Sequence, residues 1–187
     1  DTPTVAGLAA LLDTRRDVPV TADRPKLVAR DWPERIPLSY SQLAMWFAYR
    51  LQGPSPLGNI PVSVRLDGPL DSAVLVAALN DVVARHGTLR TIFPAGEGAA
   101  YQSIQPPAPI DVAVATLGPD DSVRLDEELA RLANYAFAVD RELPIKAALY
   151  VLGESSHVLS IVVHHMVIDR WSIRSLFLDL VVAYRAR

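Results

Sequence analysis

The run Val158–Val163 (VLSIVV) constrains the fold of this chain more than any other segment. Successive side chains of a strand point to opposite faces, yet nearly all of these are apolar, so both faces have to be covered. A strand of this kind lies at the centre of a sheet with helices packed on each side. Together with the interleaving of helical and strand patterns along the chain, the run predicts an α/β fold in which a mixed β-sheet is flanked by helices.

Helical and strand patterns alternate along the chain after residue 36. Ser39 and Gln42 have the spacing of a capping box, and Asp71 is placed to cap a second helix that ends at Gly87. The predicted helices cover 39–52, 71–86, 120–133 and 172–187. The predicted strands cover 60–66, 89–93, 100–104, 110–116, 145–152 and 157–165.

The beginning of the chain has a different character. Residues 1–13 carry apolar side chains on one helical face, with Thr2 as a cap and Pro3 at the first helical position. Residues 14–35 are rich in arginine, aspartate and proline and show no apolar period, which is typical of an extended linker. We therefore predict a short helix from another domain over 1–13, a linker over 14–35 and a main domain over 36–187.

The composition excludes several classes of protein. Half of the 187 residues are apolar and 21% are charged, which excludes a disordered chain. The net charge of -3 gives no general attraction to nucleic acid or to an anionic membrane, and no apolar run approaches the roughly 18 residues of a membrane span. The chain has no cysteine, which excludes disulfides and fits a reducing compartment. We expect a cytoplasmic protein with neither nucleic acid nor a membrane among its partners.

Two adjacent histidines, His164 and His165, follow the predicted central strand and precede a helix. Neighbouring side chains of a strand point apart, so one of the two reaches a cleft and the other packs inside. A histidine in this place suits proton transfer, because the intrinsic pKa of an imidazole lies near neutrality. Asp169 is close enough in sequence to help fix the loop between these histidines and the helix. Because the two imidazoles point apart and do not readily share an ion, we expect no metal site.

A second group of charged residues surrounds the end of the helix over 71–86. Arg85 and His86 lie in its last turn, where cations are favoured, and Gly87 ends it. Arg90 is not explained in this way. It begins a predicted strand between apolar residues, so we expect it to be partly buried and to pair with an acid.

Three segments together resemble the condensation domains of nonribosomal peptide synthetases. Residues 164–170 (HHMVIDR) are similar to the family's HHxxxDG signature, and residues 85–93 (RHGTLRTIF) are similar to its RHExLRTxF motif. Residues 39–46 (SYSQLAMW) are similar to its opening SxAQxRxW motif. The departures from these patterns are Ala44, Gly87 and Arg170, which stand where the family has arginine, an acid and glycine.

The resemblance implies a fold and a set of partners. Condensation domains consist of two lobes, each similar to chloramphenicol acetyltransferase, and residues 36–187 correspond to the N-terminal lobe. Residues 1–13 resemble the last helix of a peptidyl carrier protein domain. The implied partners are the second lobe, upstream and downstream carrier domains, and an adjacent adenylation domain. Phosphopantetheine would be carried by the carrier domains and not by this chain, and the lobe alone is expected to be inactive.

The resemblance also implies roles for individual residues in amide bond formation between carrier-bound thioesters. His165 is the expected catalytic residue, either as a general base or as a positioning group, and His164 is expected to pack. Asp169 is expected to pair with Arg90, with Arg85 as the second choice. The residues expected to gate the substrate tunnel or contact pantetheine are Arg170, Trp171 and Ser172.

Three other functions remain open at this point. An epimerization domain shares the HHxxxDG signature, and a separate acetyltransferase-like enzyme could use coenzyme A. A module that docks carrier domains without catalysis is the third, because Arg170 in place of glycine could disable the site.

Overall fold

The computed structural model describes residues 4–14, 28, 33, 35–96, 99–118 and 120–187. The chain divides into two compact units, residues 1–32 and 33–187. In the first unit, helix α1 covers Val5–Thr14, and the Thr4 hydroxyl accepts a hydrogen bond of 3.1 Å from the Gly7 backbone N–H. The predicted cap Thr2 lies outside the described residues, as does most of the predicted linker.

The second unit contains the remaining helices and strands. The helices are α2 (Tyr40–Gln52), α3 (Ser72–Arg85), α4 (Ser122–Ala133) and α5 (Arg170–Arg185). The strands are β1 (Ile36–Pro37), β2 (Asn59–Asp67), β3 (Thr91–Ile92), β4 (Tyr101–Ile104), β5 (Val112–Thr116), β6 (Ile145–Gly153) and β7 (Ser156–His164).

The larger sheet has four strands in the order β2-β7-β6-β5. Strands β5 and β6 are parallel and the other two pairs are antiparallel, so the sheet is mixed, as the sequence predicts. The apolar run lies in β7, where Ile161 pairs with Val62 on one side and Ala147 on the other. A smaller antiparallel sheet has the order β1-β4-β3.

Both faces of β7 are covered, and Val158–Val163 is buried throughout. On one face, Leu159 and Ile161 pack in an aliphatic cluster with side chains of α3 and α5. On the other face, Val158 and Val162 pack in a second cluster, to which α2 and α4 contribute. The predicted α/β fold with helices on both sides of a mixed sheet is confirmed.

Some element boundaries differ from the predicted ones. The strand predicted over 89–93 begins with a 3-10 turn, Gly87–Arg90, which the Thr91 hydroxyl stabilises by donating to the Gly87 carbonyl at 2.8 Å. Strand β7 ends at His164, so His165 already belongs to the loop. Helix α5 begins at Arg170, two residues earlier than predicted, because Asp169 caps it.

Candidate active site

A short loop, residues 165–169, connects the central strand β7 to helix α5. Its backbone is held close to the end of the sheet. The His165 N–H donates to the Gly58 carbonyl at 2.7 Å, and the Val167 N–H donates to the His164 carbonyl at 3.1 Å. The Met166 N–H faces the Nδ1 of His164 at 3.3 Å. The loop therefore presents its side chains in one defined arrangement.

The structure places His164 inside the domain, with 5% of its surface exposed. Its ring packs edge-on against Phe137, with 6.2 Å between the ring centroids. Burial, the largest effect, lowers the pKa of His164. Because its Nδ1 accepts a hydrogen bond from the Met166 N–H, the ring is held in its neutral form.

Gly58 fits closely against His164. A Cβ at this position would lie 3.0 Å from the His164 Nε2, and the φ angle of +89° is one that residues with side chains rarely adopt. Gly58 also provides the carbonyl that binds the His165 N–H. The residue just before β2 thus lies against the His164 ring and binds the backbone of His165.

His165 is exposed, and its ring is oriented by its own loop. The Nδ1 lies 2.7 Å from the Ile168 carbonyl oxygen. A carbonyl oxygen only accepts hydrogen bonds, so the Nδ1 carries the proton. In the neutral ring the Nε2 then keeps a free lone pair, which can accept a proton.

His165 faces a groove with a volume of about 420 Å³. One wall comes from the start of α2 and includes Ser39, Ser41 and Met45. The other wall comes from the loop and the first turn of α5. The groove therefore combines hydroxyl groups and apolar surface beside an imidazole with a free nitrogen.

The structure does not form the predicted ion pair of Asp169 with Arg90. The Asp169 carboxylate caps α5, where it accepts hydrogen bonds from the Ser172 backbone N–H at 2.8 Å and from the Ser172 hydroxyl at 2.6 Å. These bonds to Ser172 hold the pKa of Asp169 below its ordinary value. The pattern Asp-x-x-Ser at a helix start was the sequence signal for this cap.

The two arginines that were expected near Asp169 have other partners. The Arg90 guanidinium donates to the carbonyl oxygens of Val83, at 3.2 Å, and of Gln105. Arg85 lies 3.7 Å from the carboxylate of Asp179, on α5. Backbone carbonyls satisfy the partly buried Arg90, so the expected pairing of this arginine with an acid does not form.

Of the three residues expected to gate the tunnel or contact pantetheine, one lines the groove. Ser172 lines the groove beside His165, and Arg170 and Trp171 are exposed on the first turn of α5. The Trp171 side chain is 86% exposed.

Sequence reasoning missed two contacts near the loop. Gln42 is predicted as the partner of Ser39 in a capping box, but its side-chain amide also donates to the Met166 carbonyl at 3.0 Å. His86 was assigned to a helix end, but its Nε2 lies 2.7 Å from the Asp179 carboxylate. Of these two contacts, the sequence could have indicated only that of Gln42. A glutamine in a capping box uses its side-chain oxygen and leaves its amide N–H groups available to another acceptor.

Within the described residues, no cluster of three or more His, Cys, Asp or Glu side chains is arranged to hold a metal ion. In the same part of the chain, no helix has the length and apolar character needed to cross a membrane.

The fold and the histidine loop define the class of protein, an α/β lobe of the chloramphenicol acetyltransferase type. The sequence model of the family described as "Condensation domain" matches residues 33–187. The chain therefore belongs to the condensation domain family, which confirms the resemblance of its three motifs.

Known relatives are much longer than this chain. It is 44% identical to a dimodular nonribosomal peptide synthase of Bacillus subtilis (strain 168), in a match that covers 100% of the chain and 8% of the synthase. It is 39% identical to an isonitrile lipopeptide synthase of Mycobacterium tuberculosis, with 98% of the chain and 7% of the synthase covered. The chain thus spans less than a tenth of the length of these relatives.

Solved structures show the same fold. The X-domain from teicoplanin biosynthesis, in its complex with OxyB, is 37% identical and has a TM-score of 0.78, with 87% of this chain and 35% of that chain covered. The first condensation domain of the CDA synthetase is 28% identical and has a TM-score of 0.75, with 81% and 40% covered.

Proposed function

We propose that residues 36–187 are the N-terminal lobe of a condensation domain that forms an amide bond between two carrier-bound substrates. The observation that supports this most is the orientation of His165. Its Nδ1 proton is bound by the Ile168 carbonyl, and its Nε2 is directed away from that bond with a free lone pair. The imidazole is exposed beside the groove, where a substrate amine can approach it.

In the proposed reaction the acceptor amine attacks the carbonyl carbon of the donor thioester. A C–N bond forms, and the attacking nitrogen loses a proton to the Nε2 of His165. When the tetrahedral intermediate collapses, the C–S bond breaks and the imidazolium returns this proton to the departing thiolate. General base catalysis of this kind contributes roughly 10²- to 10⁴-fold in rate. The fixed Nδ1 proton favours the base role over a purely positioning one.

The groove is suited to a long, narrow substrate arm. Its lining includes Ser39, Ser41 and Ser172, which carry hydroxyl groups, and the apolar side chain of Met45. A phosphopantetheine arm also combines polar amide groups with apolar methylene groups, and its thioester supplies the activated acyl group. We assign Ser172 to contact this arm, and Arg170 and Trp171 to the outer rim.

The remaining assignments follow from this proposal. Residues 1–13 are assigned to the tail of a peptidyl carrier domain and residues 14–35 to the linker, in line with a match to the dimodular synthase that covers the whole chain. The partners are a second lobe, upstream and downstream carrier domains, and an adenylation domain. The lack of cysteine suits work in the cytoplasm.

The test is amide formation by the complete synthetase module that contains this sequence, with both carrier domains loaded. His165→Ala should lower the rate of product formation by roughly 10²- to 10⁴-fold, because the proton acceptor is lost. Arg65→Ala is the control, since it removes an exposed charge that pairs with Asp67 elsewhere on the sheet. A His165→Ala rate equal to that of the parent contradicts the proposal.

A module that docks carrier domains without catalysis is a second candidate. It is favoured by Arg170, which replaces the family's glycine next to the cap of α5, and by the similarity to an X-domain solved in complex with OxyB. In this case the parent and His165→Ala both bind carriers and neither forms product. Restored turnover in Arg170→Gly would then identify the arginine as the cause.

An epimerization domain differs in its product. It would change the configuration of the carrier-bound amino acid without joining two substrates, which chiral analysis of the released amino acid detects.

A further inference from the structure

We propose that Gln42 is a positioning residue for His165, acting from helix α2 through the backbone carbonyl of Met166. This inference rests on the proposed catalytic role of His165. It joins two of the three motifs that resemble the family's, because Gln42 belongs to residues 39–46 and Met166 belongs to residues 164–170.

The side-chain amide of Gln42 uses its oxygen and its nitrogen for different purposes. The Oε1 accepts a hydrogen bond of 2.9 Å from the Ser39 N–H, which completes the capping box of α2. The Nε2 donates to the Met166 carbonyl at 3.0 Å and to the Oε1 of Gln102 at 3.2 Å. An amide is required for this, since a carboxylate has acceptors but no donor.

The hydrogen bond from Gln42 to the Met166 carbonyl holds the loop at the residue that follows His165. Met166 follows His165 directly, and its carbonyl belongs to the peptide group that leads to Val167 and Ile168. The direction of this peptide group affects where the Ile168 carbonyl lies, and that carbonyl holds the Nδ1 proton of His165. Gln42 therefore acts on the imidazole through one backbone segment.

A third segment is fixed to the same side chain. Gln102, on β4, binds the Gln42 amide through its oxygen and donates through its own Nε2 to the Pro37 carbonyl at 2.9 Å. Helix α2, the small sheet and the histidine loop are thus connected through Gln42. A connection of three segments separated in sequence favours one loop conformation over its alternatives.

Gln42→Glu separates the two uses of the side chain. Glutamate keeps an acceptor for the Ser39 N–H and suits the N-terminal turn of a helix, but it cannot donate to Met166. Trp46→Phe is the matched control. The Trp46 indole N–H, from the same helix, donates to another backbone carbonyl, that of Phe93, at a similar distance of 3.1 Å.

The first readout is hydrogen exchange in the 187-residue chain. In Gln42→Glu the backbone N–H groups of His165 and Val167 should exchange at least about tenfold faster, because their bonds at the sheet end open more often. In Trp46→Phe these two groups should exchange as in the parent.

The second readout is turnover by the complete module. Gln42→Glu should lower kcat about 10- to 100-fold with little change in KM, because a misplaced base affects the chemical step. Trp46→Phe should lower the midpoint of thermal unfolding without this loss of kcat. If Gln42→Glu does not fold, Gln42→Met takes its place. Because methionine also lacks the acceptor for the Ser39 N–H, the expected result is then faster exchange at His165 and Val167 beyond any change in the N–H groups of α2.

Parental exchange and parental kcat in the variant without the donor would overturn the proposal. The two proposals fail in different ways. If His165→Ala is as active as the parent, the catalytic role is wrong, while the exchange rates still show whether Gln42 holds the loop. If His165→Ala is inactive and Gln42→Glu is unchanged in both readouts, only the positioning role is wrong.

Discussion

The two faces of the four-stranded sheet are built from different kinds of contact. The face under α3 and α5 is mainly aliphatic, with the buried side chains of Leu75, Leu79, Val82, Leu149, Leu159, Ile161, Leu176 and Leu180 in one cluster. Packing of this kind is strong but weakly directional, since it depends mostly on buried apolar area.

The face under α2 and α4 contains buried or partly buried hydrogen bonds among its apolar side chains. Ser63 and Ser160 are 2.9 Å apart at their hydroxyls, and the Asn59 amide donates to the carbonyls of Ala133 and Tyr135. Tyr49 donates to the Asp140 carboxylate at 2.6 Å. His164 and the contact of Gln42 with the loop belong to this side.

The difference shows how one sheet serves two purposes. Apolar packing covers the α3–α5 face and stabilises the fold there through buried area. On the α2–α4 face, directional hydrogen bonds hold helix α2 against the histidine loop and against the neighbouring chain segments. We therefore expect substitutions on the first face to affect mainly stability, and substitutions near the loop to affect the site as well.

Leu79→Ala on the α3–α5 face should give the largest loss of stability. Leu79 is 1% exposed, and removing such a side chain leaves a cavity. The free energy of unfolding should fall by about 2–5 kcal/mol, as measured by denaturant titration of the chain. Activity per folded module should remain at the parental level. A loss of activity in the folded fraction of Leu79→Ala would contradict the expectation that the α3–α5 face affects mainly stability.

Gly58→Ala should give a smaller loss of stability together with a change at the site. The positive φ angle costs of the order of 1–3 kcal/mol for a residue with a side chain, and the new methyl group meets the His164 ring. Gly68→Ala is the matched control, because its φ of +115° imposes strain but no atom lies within 4 Å of the added carbon.

The comparison of these two glycine variants isolates the contact with His164. Gly58→Ala should reduce amide formation by the complete module, since the carbonyl of residue 58 binds the His165 N–H. Gly68→Ala should lose stability alone. Equal activity in both variants would show that the contact with His164 does not affect the site.

The smallest expected effect is a dependence of the free energy of unfolding on pH, which arises from His164. Burial lowers its pKa below the ordinary value of 6.5, so the unfolded chain binds this proton more readily. The contribution of neutral His164 to the free energy of unfolding is fully present above the pKa of the unfolded chain. It is lost as the pH falls through the lower pKa of the folded chain.

This dependence is measured by denaturant unfolding between about pH 8 and pH 5, in the parent and in His164→Leu. The slope that one such proton contributes is at most about 1.4 kcal/mol per pH unit, and it should be absent from the variant. Identical slopes in both proteins would mean that His164 does not titrate differently on folding.

Much of the fold could be predicted from local patterns. The apolar run of β7, the stripe of α3 and the capping box of Ser39 and Gln42 each contain their signal within a few residues. The prediction was least accurate where a local choice competed with a distant one. Asp169 could cap its own helix or pair with Arg90, and the cap prevailed because its donors are only three residues away.

The links between the motifs were not readable from the sequence. Gln42 and Met166 are 124 positions apart, and no periodicity connects them. The tautomer of His165 depends on the Ile168 carbonyl, whose direction is a property of the folded loop. Such contacts depend on tertiary geometry, whereas the residue types at the site are visible in the motifs.

The most direct test of the proposed base is the ¹⁵N NMR spectrum of the His165 imidazole in the 187-residue chain, recorded at mildly alkaline pH. We expect a protonated Nδ1 and an unprotonated Nε2. A proton on Nε2 would contradict the proposal, because the nitrogen that faces the substrate would then have no lone pair to accept the proton of the amine.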